Sequence, residues 1–252
     1  MLKNRIIPIL LLRDGRMIKT IQFDKYRDVG DPITTARVYN AQRADELMFL
    51  DISASLEERK ILLNIVRESA EECFMPLSVG GGIRSLEDIR LLLQNGADKV
   101  VINTAAFLKK GFIKEAAEKF GSSTIVVSID VKKNENGKYE VYIYGGKKAT
   151  GLDPVDWAKE VEAQGAGEIM ITSIDKEGTM EGLDIELIKS ISNAVTIPVI
   201  ASGGVGSLED YQFGFEKGGA NAVAAGSILH FTDQNLIMTR NYLTHQKVNV
   251  RS

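Results

Sequence analysis

The stretch PLSVGGGIRSLEDI, Pro76 to Ile89, returns as PVIASGGVGSLEDY, Pro198 to Tyr211, at an offset of 122 residues. At the same offset AQRADELM (Ala41 to Met48) falls on AQGAGEIM (Ala163 to Met170), and one residue further on Asn103-Thr104 falls on Gly226-Ser227. Each copy reads as an apolar run, a glycine turn and a helix start, with a serine followed three residues later by an aspartate. A repeat of this length is no solenoid unit, so each copy must be half of a larger closed structure. Outward from these two copies, apolar runs and helical patterns alternate along the chain. The predicted strands 1 to 8 are Arg5–Leu12, Glu46–Asp51, Leu77–Val79, Lys99–Ile102, Thr124–Asp130, Glu168–Ile171, Val199–Ala201 and Ala222–Ala225. They are rich in Val, Ile and Leu without clean alternation, as parallel strands covered on both faces are. Helical periodicity fills the gaps at Ile61–Glu72, Leu86–Gln94, Phe112–Lys119, Pro154–Gln164 and Leu183–Asn193. Eight strands alternating with helices predict an α/β fold, a single (β/α)8 TIM barrel over residues 1–252, built of half-barrels at about 1–120 and 121–252. A doubly wound sheet is the alternative, but it does not predict two such similar halves.

Composition narrows the function. The 31 Lys and Arg against 34 Asp and Glu leave a net charge of −3. No global basic field exists to hold nucleic acid or an anionic membrane, so phosphate affinity must be local. Cys73 is the single cysteine, which suits a reducing cytoplasm and forbids an intramolecular disulfide. With only His230 and His245 beside it, no zinc-type ligand cluster can form, and the reading calls for no metal and no cofactor. The longest apolar stretch, Ile6 to Leu12, is too short for a membrane span or a signal peptide. A soluble cytoplasmic protein is expected.

In a (β/α)8 barrel the chemistry sits at the carboxyl ends of the strands. Gly80-Gly81-Gly82 follows strand 3 and Gly203-Gly204 follows strand 7, while Asn103-Thr104 and Gly226-Ser227 follow strands 4 and 8. Glycine lets backbone N–H groups approach a phosphate closely, and the duplicated pairing predicts two phosphate cradles across one mouth. Their alternative role is to make tight turns. Asp130 ends strand 5, where a general acid or base belongs. Its position in the repeat partner, strand 1, is Leu11, which can move no proton. Asp51 ends strand 2 and is a further candidate, although a strand-end Asp also serves as a helix cap. At the opposite end Arg5, Glu46, Lys99 and Glu168 each open a strand and should converge on the barrel bottom. Two cations and two anions there make either a structural plug or a gate for something small and neutral.

Over nearly its whole length the chain resembles the cyclase subunit of imidazole glycerol phosphate synthase, the HisF family. The carriers are KNRIIP, DGRMIK (Asp14 to Lys19), RDVGDP (Arg27 to Pro32), ADELMFLDISAS (Ala44 to Ser55), VGGGIRS (Val79 to Ser85), GADKVVINTAA (Gly96 to Ala106), GEIMITSIDKEGT (Gly167 to Thr179) and IASGGVGS (Ile200 to Ser207). The resemblance implies a glutaminase partner of the HisH kind docked on the barrel bottom, its ammonia crossing the barrel to a bis-phosphorylated small-molecule substrate at the mouth. It implies that Arg5, Glu46, Lys99 and Glu168 are the ammonia gate and that Asp98 faces the glutaminase. It puts phosphate on Gly82, Asn103 and Thr104 on one side and on Gly178, Gly204, Gly226 and Ser227 on the other. Lys19 corresponds to a loop lysine that holds substrate, and Asp130 to the catalytic aspartate of strand 5. The second family aspartate is replaced: LDVKDG reads LLLRDG here, with Leu11 at its place, and Glu177 stands where the family has aspartate. PILLLRDGRMIKTIQF (Pro8 to Phe23) and ECFMP (Glu72 to Pro76) are similar to divergent glycosyl amidation-associated paralogues. Those imply an ammonia conduit serving a separate sugar amidotransferase in surface-polysaccharide synthesis. The rival implications are an authentic cyclase of histidine biosynthesis, with Asp51 standing in for Leu11, and a silent barrel that only stimulates the glutaminase.

Overall fold

The computed structural model describes residues 3–52 and 63–251. Eight parallel strands close on themselves: β1 Arg5–Arg13, β2 Leu47–Asp51, β3 Leu77–Gly80, β4 Lys99–Ile102, β5 Ile125–Lys133, β6 Glu168–Ser173, β7 Val199–Ser202 and β8 Ala222–Ala225. Closure is made by β1. It pairs with β8 from Arg5↔Ala222 to Pro8↔Ala225 and with β2 from Ile9↔Met48 to Leu12↔Asp51. The remaining neighbours pair in chain order, so the protein is a (β/α)8 barrel.

Most boundaries fall within a residue or two of the apolar runs. Glu46 lies one position before β2 rather than opening it, and Thr124 belongs to a 3-10 turn at Ser122–Thr124. The helix expected over Ile61–Glu72 is present as Leu63–Glu72; its first two residues lie outside the described ones. β5 runs three residues past Asp130 because it pairs with an antiparallel extension, Tyr139–Ile143. β1 likewise continues into a hairpin of Arg16–Lys19 and Arg27–Gly30. These two extensions stand at equivalent places in the halves.

The internal repeat is visible in the helix starts. Ser85 and Ser207 each accept the N–H of the residue three positions on, Asp88 and Asp210, whose carboxylates accept the serine N–H at 2.8 Å. Asp31 and Asp153 cap the helices Pro32–Ala41 and Pro154–Ala163, each with proline in the first turn, where no backbone N–H is needed. Both pairs keep the sequence offset of the repeat.

Strand alternation divides the core into two layers. Side chains of one parity, such as Leu10, Phe49, Val100, Ile129 and Ile169, pack against the helices. Those of the other parity fill the barrel: Ile7, Ile9, Met48, Val101, Val126, Met170, Ile200, Ala222 and Ala224, with Leu11 and Leu50 packed above them. This apolar plug separates the bottom of the barrel from its mouth. Ser207→Ala removes one reciprocal cap and should lower unfolding free energy by about 1 kcal/mol in chemical denaturation, with the barrel otherwise intact.

Candidate functional site

The mouth holds a cavity of about 990 Å³. Lys19, Asp51, Gly82, Asn103, Thr104, Asp130, Gly178, Gly204, Gly226 and Ser227 all line it, as does Leu11. The topology brings together the mouth residues singled out in the sequence except Gly80, which belongs to β3 and does not line the cavity; the others stand at or past a strand's carboxyl end. Glycine is required here by the backbone as well. A Cβ on Gly178, at φ +74°, would stand 2.3 Å from the Thr20 carbonyl oxygen, and one on Gly204, at φ +106°, 2.2 Å from that of Gly182. Neither contact is sterically possible, so both glycines serve loop packing whatever they bind.

Asp130 is 8 % exposed and shares the inward parity of Val126 and Ser128. Burial pushes its carboxyl up to about 7, against hydrogen bonds from Ser128 and Asn103 that favour the charged form; the nearby Glu177 charge adds to the rise. Asn103 Nδ2 donates to Asp130 Oδ2 at 3.1 Å and to the Ser128 carbonyl at 3.0 Å. Thr104 Oγ1 accepts the Tyr144 N–H at 3.0 Å, tying the mouth to the extension after β5. A carboxyl that titrates near neutrality can both give and take a proton.

Across the ring from β5 stands β1, where Leu11 pairs in register with Leu50. That wall of the mouth is apolar. Asp51 has the outward parity of Leu47 and Phe49 yet reaches the cavity rim, because the strand ends there. Asp130 is therefore the carboxyl on the inward rows of these two opposed strand ends.

Lys19 ends Arg16–Lys19, the first strand of the β1 extension, and is buried. Its ammonium is ion-paired to Glu177, and it donates to the Thr20 carbonyl at 3.2 Å. Glu177 also accepts from Thr20 Oγ1 at 3.0 Å and from the Phe23 N–H at 3.1 Å. Gln22 bonds the Glu177 carbonyl through its N–H at 2.8 Å, and Phe23 packs against Gly146. Residues 20–24 thus form a strap from β1 to the loops after β5 and β6. The sequence offered Glu177 only as a small change of acid; that it grips the strap depends on contacts across 158 positions.

At the other end Arg5, Glu46, Lys99 and Glu168 close into a ring. Arg5 reaches Glu46 at 2.7 Å and Glu168 at 2.9 Å, and Lys99 reaches the same two at 2.8 and 2.9 Å. Burial acts to lower the Arg5 pKa, but the Glu168 and Glu46 charges more than reverse it, and the net shift is upward. Ser78 Oγ, an inward polar residue in the run PLSVG, completes the shell by donating to Glu46 at 2.6 Å. Its place in an otherwise apolar strand was the available signal for it. Asp98 lies exposed beside this end and accepts the Leu77 N–H at 2.8 Å at the base of β3. Among the described residues no group of three or more His, Cys, Asp or Glu could hold a metal ion, and no helix is long and apolar enough to cross a membrane.

A closed parallel barrel with glycine-lined turns and a titratable carboxyl at its mouth defines a (β/α)8 barrel protein. The chain matches the model of the histidine biosynthesis protein family over residues 5–235 and belongs to that family.

The raised Asp130 has a consequence for stability. Its folded pKa of about 7 lies above the ordinary 3.8, so between these values the folded chain binds a proton that the unfolded chain has lost. Its contribution is complete at low pH and is lost as pH rises toward 7, at up to about 1.4 kcal/mol per pH unit. Asp130→Asn should flatten the fall in unfolding free energy between about pH 5 and about pH 7, measured by urea denaturation.

Proposed function

We propose that this chain is the ammonia-conducting synthase subunit of a glutamine amidotransferase, working with a separate glutaminase docked on the barrel bottom. The observation that carries the reading is the closed ring of Arg5, Glu46, Lys99 and Glu168, stacked below an apolar layer and a phosphate-type mouth. Each charge in the ring meets two opposite charges, so the ring excludes bulk water yet can open at a single ion pair while the others hold. Above it, Ile7, Met48, Val126 and Ile200 pass an uncharged molecule far more readily than its protonated form. Ammonia fits that filter and ammonium does not. Beside the ring, Asp98 and the 93 % exposed Phe74 share a shallow depression of about 330 Å³, an aromatic and an acid on the face a partner would cover.

The acceptor proposed is an acetamido sugar of surface-polysaccharide synthesis, which a third protein converts to the acetamidino sugar in the final transfer. Leu11 supports this over ring closure in the mouth, since apolar Leu11 and Leu50 stand where the second proton-transfer group of a cyclase is expected. Removing such a group typically lowers rate by 10²–10⁴-fold. The second reading, the imidazole-forming cyclase of histidine biosynthesis, draws support from Asp130, held near neutrality inside the cavity.

Two measurements separate these readings. Supplied with ammonium and the aminocarboxamide-ribonucleotide intermediate of the cyclase reaction, the purified chain should turn over at least about 100-fold more slowly than a cyclase with both acids. Leu11→Asp should then raise the rate; wild-type turnover within about tenfold of an intact cyclase would decide for the second reading. Co-purified with its glutaminase and assayed together with the sugar amidotransferase, Lys99→Ala should form less product per glutamine consumed while external ammonium still supports synthesis. The substitution leaves Glu46 and Glu168 short of one cation each, destabilising by less than the roughly 3–5 kcal/mol of a fully buried pair, so the chain should still fold. An unchanged ratio near one would reduce the ring to a structural plug.

A further inference from the structure

Asp130, Thr172 and Ser202 stand side by side on β5, β6 and β7, Thr172 in register with Asp130 on one edge and with Ser202 on the other. Thr172 has the inward parity of Met170 and Ser202 that of Ile200, so the three side chains share one row of the interior, above those aliphatic residues. Asp130 Oδ2 accepts from Asn103 at 3.1 Å and Oδ1 from Ser128 at 3.4 Å, and a carboxylate has lone pairs beyond these two. The hydroxyls differ. Thr172 is 4 % exposed and Ser202 8 %, yet among the described residues neither hydroxyl has a hydrogen-bond partner, and both residues line the cavity. Buried polar groups are nearly always paired, so two adjacent unpaired hydroxyls beside a carboxyl mark a place for a small ligand that donates to them. The wall across the mouth, Leu11 and Leu50, offers such a ligand nothing.

From this row we infer that Asp130, Thr172 and Ser202 form a holding site for ammonia at the upper end of the aliphatic layer, where it is kept as ammonium until the acceptor's enzyme takes it. The inference rests on the reading of the barrel as an ammonia conduit. Size and valence both suit the site. Neighbouring strands lie about 4.8 Å apart, and one nitrogen donating at about 2.9 Å in two tetrahedral directions spans about 4.7 Å. One ammonium thus has an N–H for Thr172 Oγ1, one for Ser202 Oγ and one for the Asp130 carboxylate, with the fourth turned toward the open mouth. The protons balance without a further reactant. Ammonia crosses the layer uncharged, its lone pair takes the proton of the Asp130 carboxyl, and ammonium then faces carboxylate. An amine-type nitrogen holds its proton well above neutrality, whereas burial brings the Asp130 carboxyl to about 7, so the transfer runs toward ammonium. On release the proton returns to Asp130 and NH3 leaves. While charged, the molecule cannot fall back past Met170 and Ile200, because an aliphatic layer excludes ions. The other charges facing this row, Lys19 and Glu177, are ion-paired with each other.

The test titrates the full chain, labelled with ¹³C and ¹⁵N, with ammonium chloride at about pH 8, where the Asp130 carboxyl is mostly ionised. It follows the Asp130 carboxyl carbon and the Thr172 and Ser202 amides, with potassium chloride as the control, a cation of similar size that has no N–H to direct. Ammonium should shift all three signals saturably, with an affinity at least tenfold above that for potassium. Thr172→Val and Ser202→Ala should each weaken it at least threefold and Asp130→Asn at least tenfold, while Thr172→Ser, which keeps the hydroxyl, should stay within twofold of the wild type. Equal affinity for the two cations in the wild type, or no saturable shift, would overturn the holding site whether or not the variants fold. Coupling lost in Lys99→Ala, with no ammonium bound at the mouth of the wild type, would overturn the holding site and leave the conduit standing. Ammonium bound, with the product ratio of Lys99→Ala unchanged, would overturn the conduit and the holding role with it.

Discussion

Strand β1 is hydrogen-bonded on both of its edges, to β8 along its first half and to β2 along its second. That closure confines half of every strand's side chains to one shared interior. Nothing inside can be solvated from the side, so polar groups there must pair with one another or lie at an open end. The interior obeys this from bottom to top. Its charged residues sit at the bottom in a reciprocal ring, its middle is aliphatic, and its polar groups return only at the mouth.

The same confinement sets the chemistry of Asp130. A carboxyl at the rim of an open sheet would keep its water and its ordinary pKa. Enclosed among Ser128, Asn103 and aliphatic neighbours, with Glu177 near, it is held close to neutrality. The opposed wall presents Leu11 and Leu50, which can strengthen that effect only by keeping water away. One side of the mouth thus carries a carboxyl raised toward neutrality and the other an apolar wall. The bottom ring differs in kind, since every charge there has two oppositely charged partners.

Much of this was legible in the sequence. The duplicated segment carries both capping boxes, both glycine turns and the strands before them, and such features are local: a serine three residues before an aspartate caps a helix wherever it lies. The mouth residues were legible for the same reason, since a strand's end in a closed barrel is a place as well as a position. The extensions after β1 and β5 were not read. Their residues, Arg16–Lys19 and Tyr139–Ile143, are short and mixed in polarity, and only pairing with an overlong barrel strand makes them strands. The strap was hidden too, for it is held by Glu177 and Gly146, more than a hundred residues away.

The closed α/β architecture, its two-fold repetition, and the assignment of residues to the mouth or the bottom were all written in the amino-acid order. They follow from periodicity and turn chemistry, which act over a few residues. Which charges meet was settled only on folding: Arg5 and Lys99 each bridge both glutamates, Ser78 joins them, and Lys19 is taken by Glu177. Pairing energies depend on separations of a few ångströms between groups far apart in the chain, and no local pattern encodes those distances.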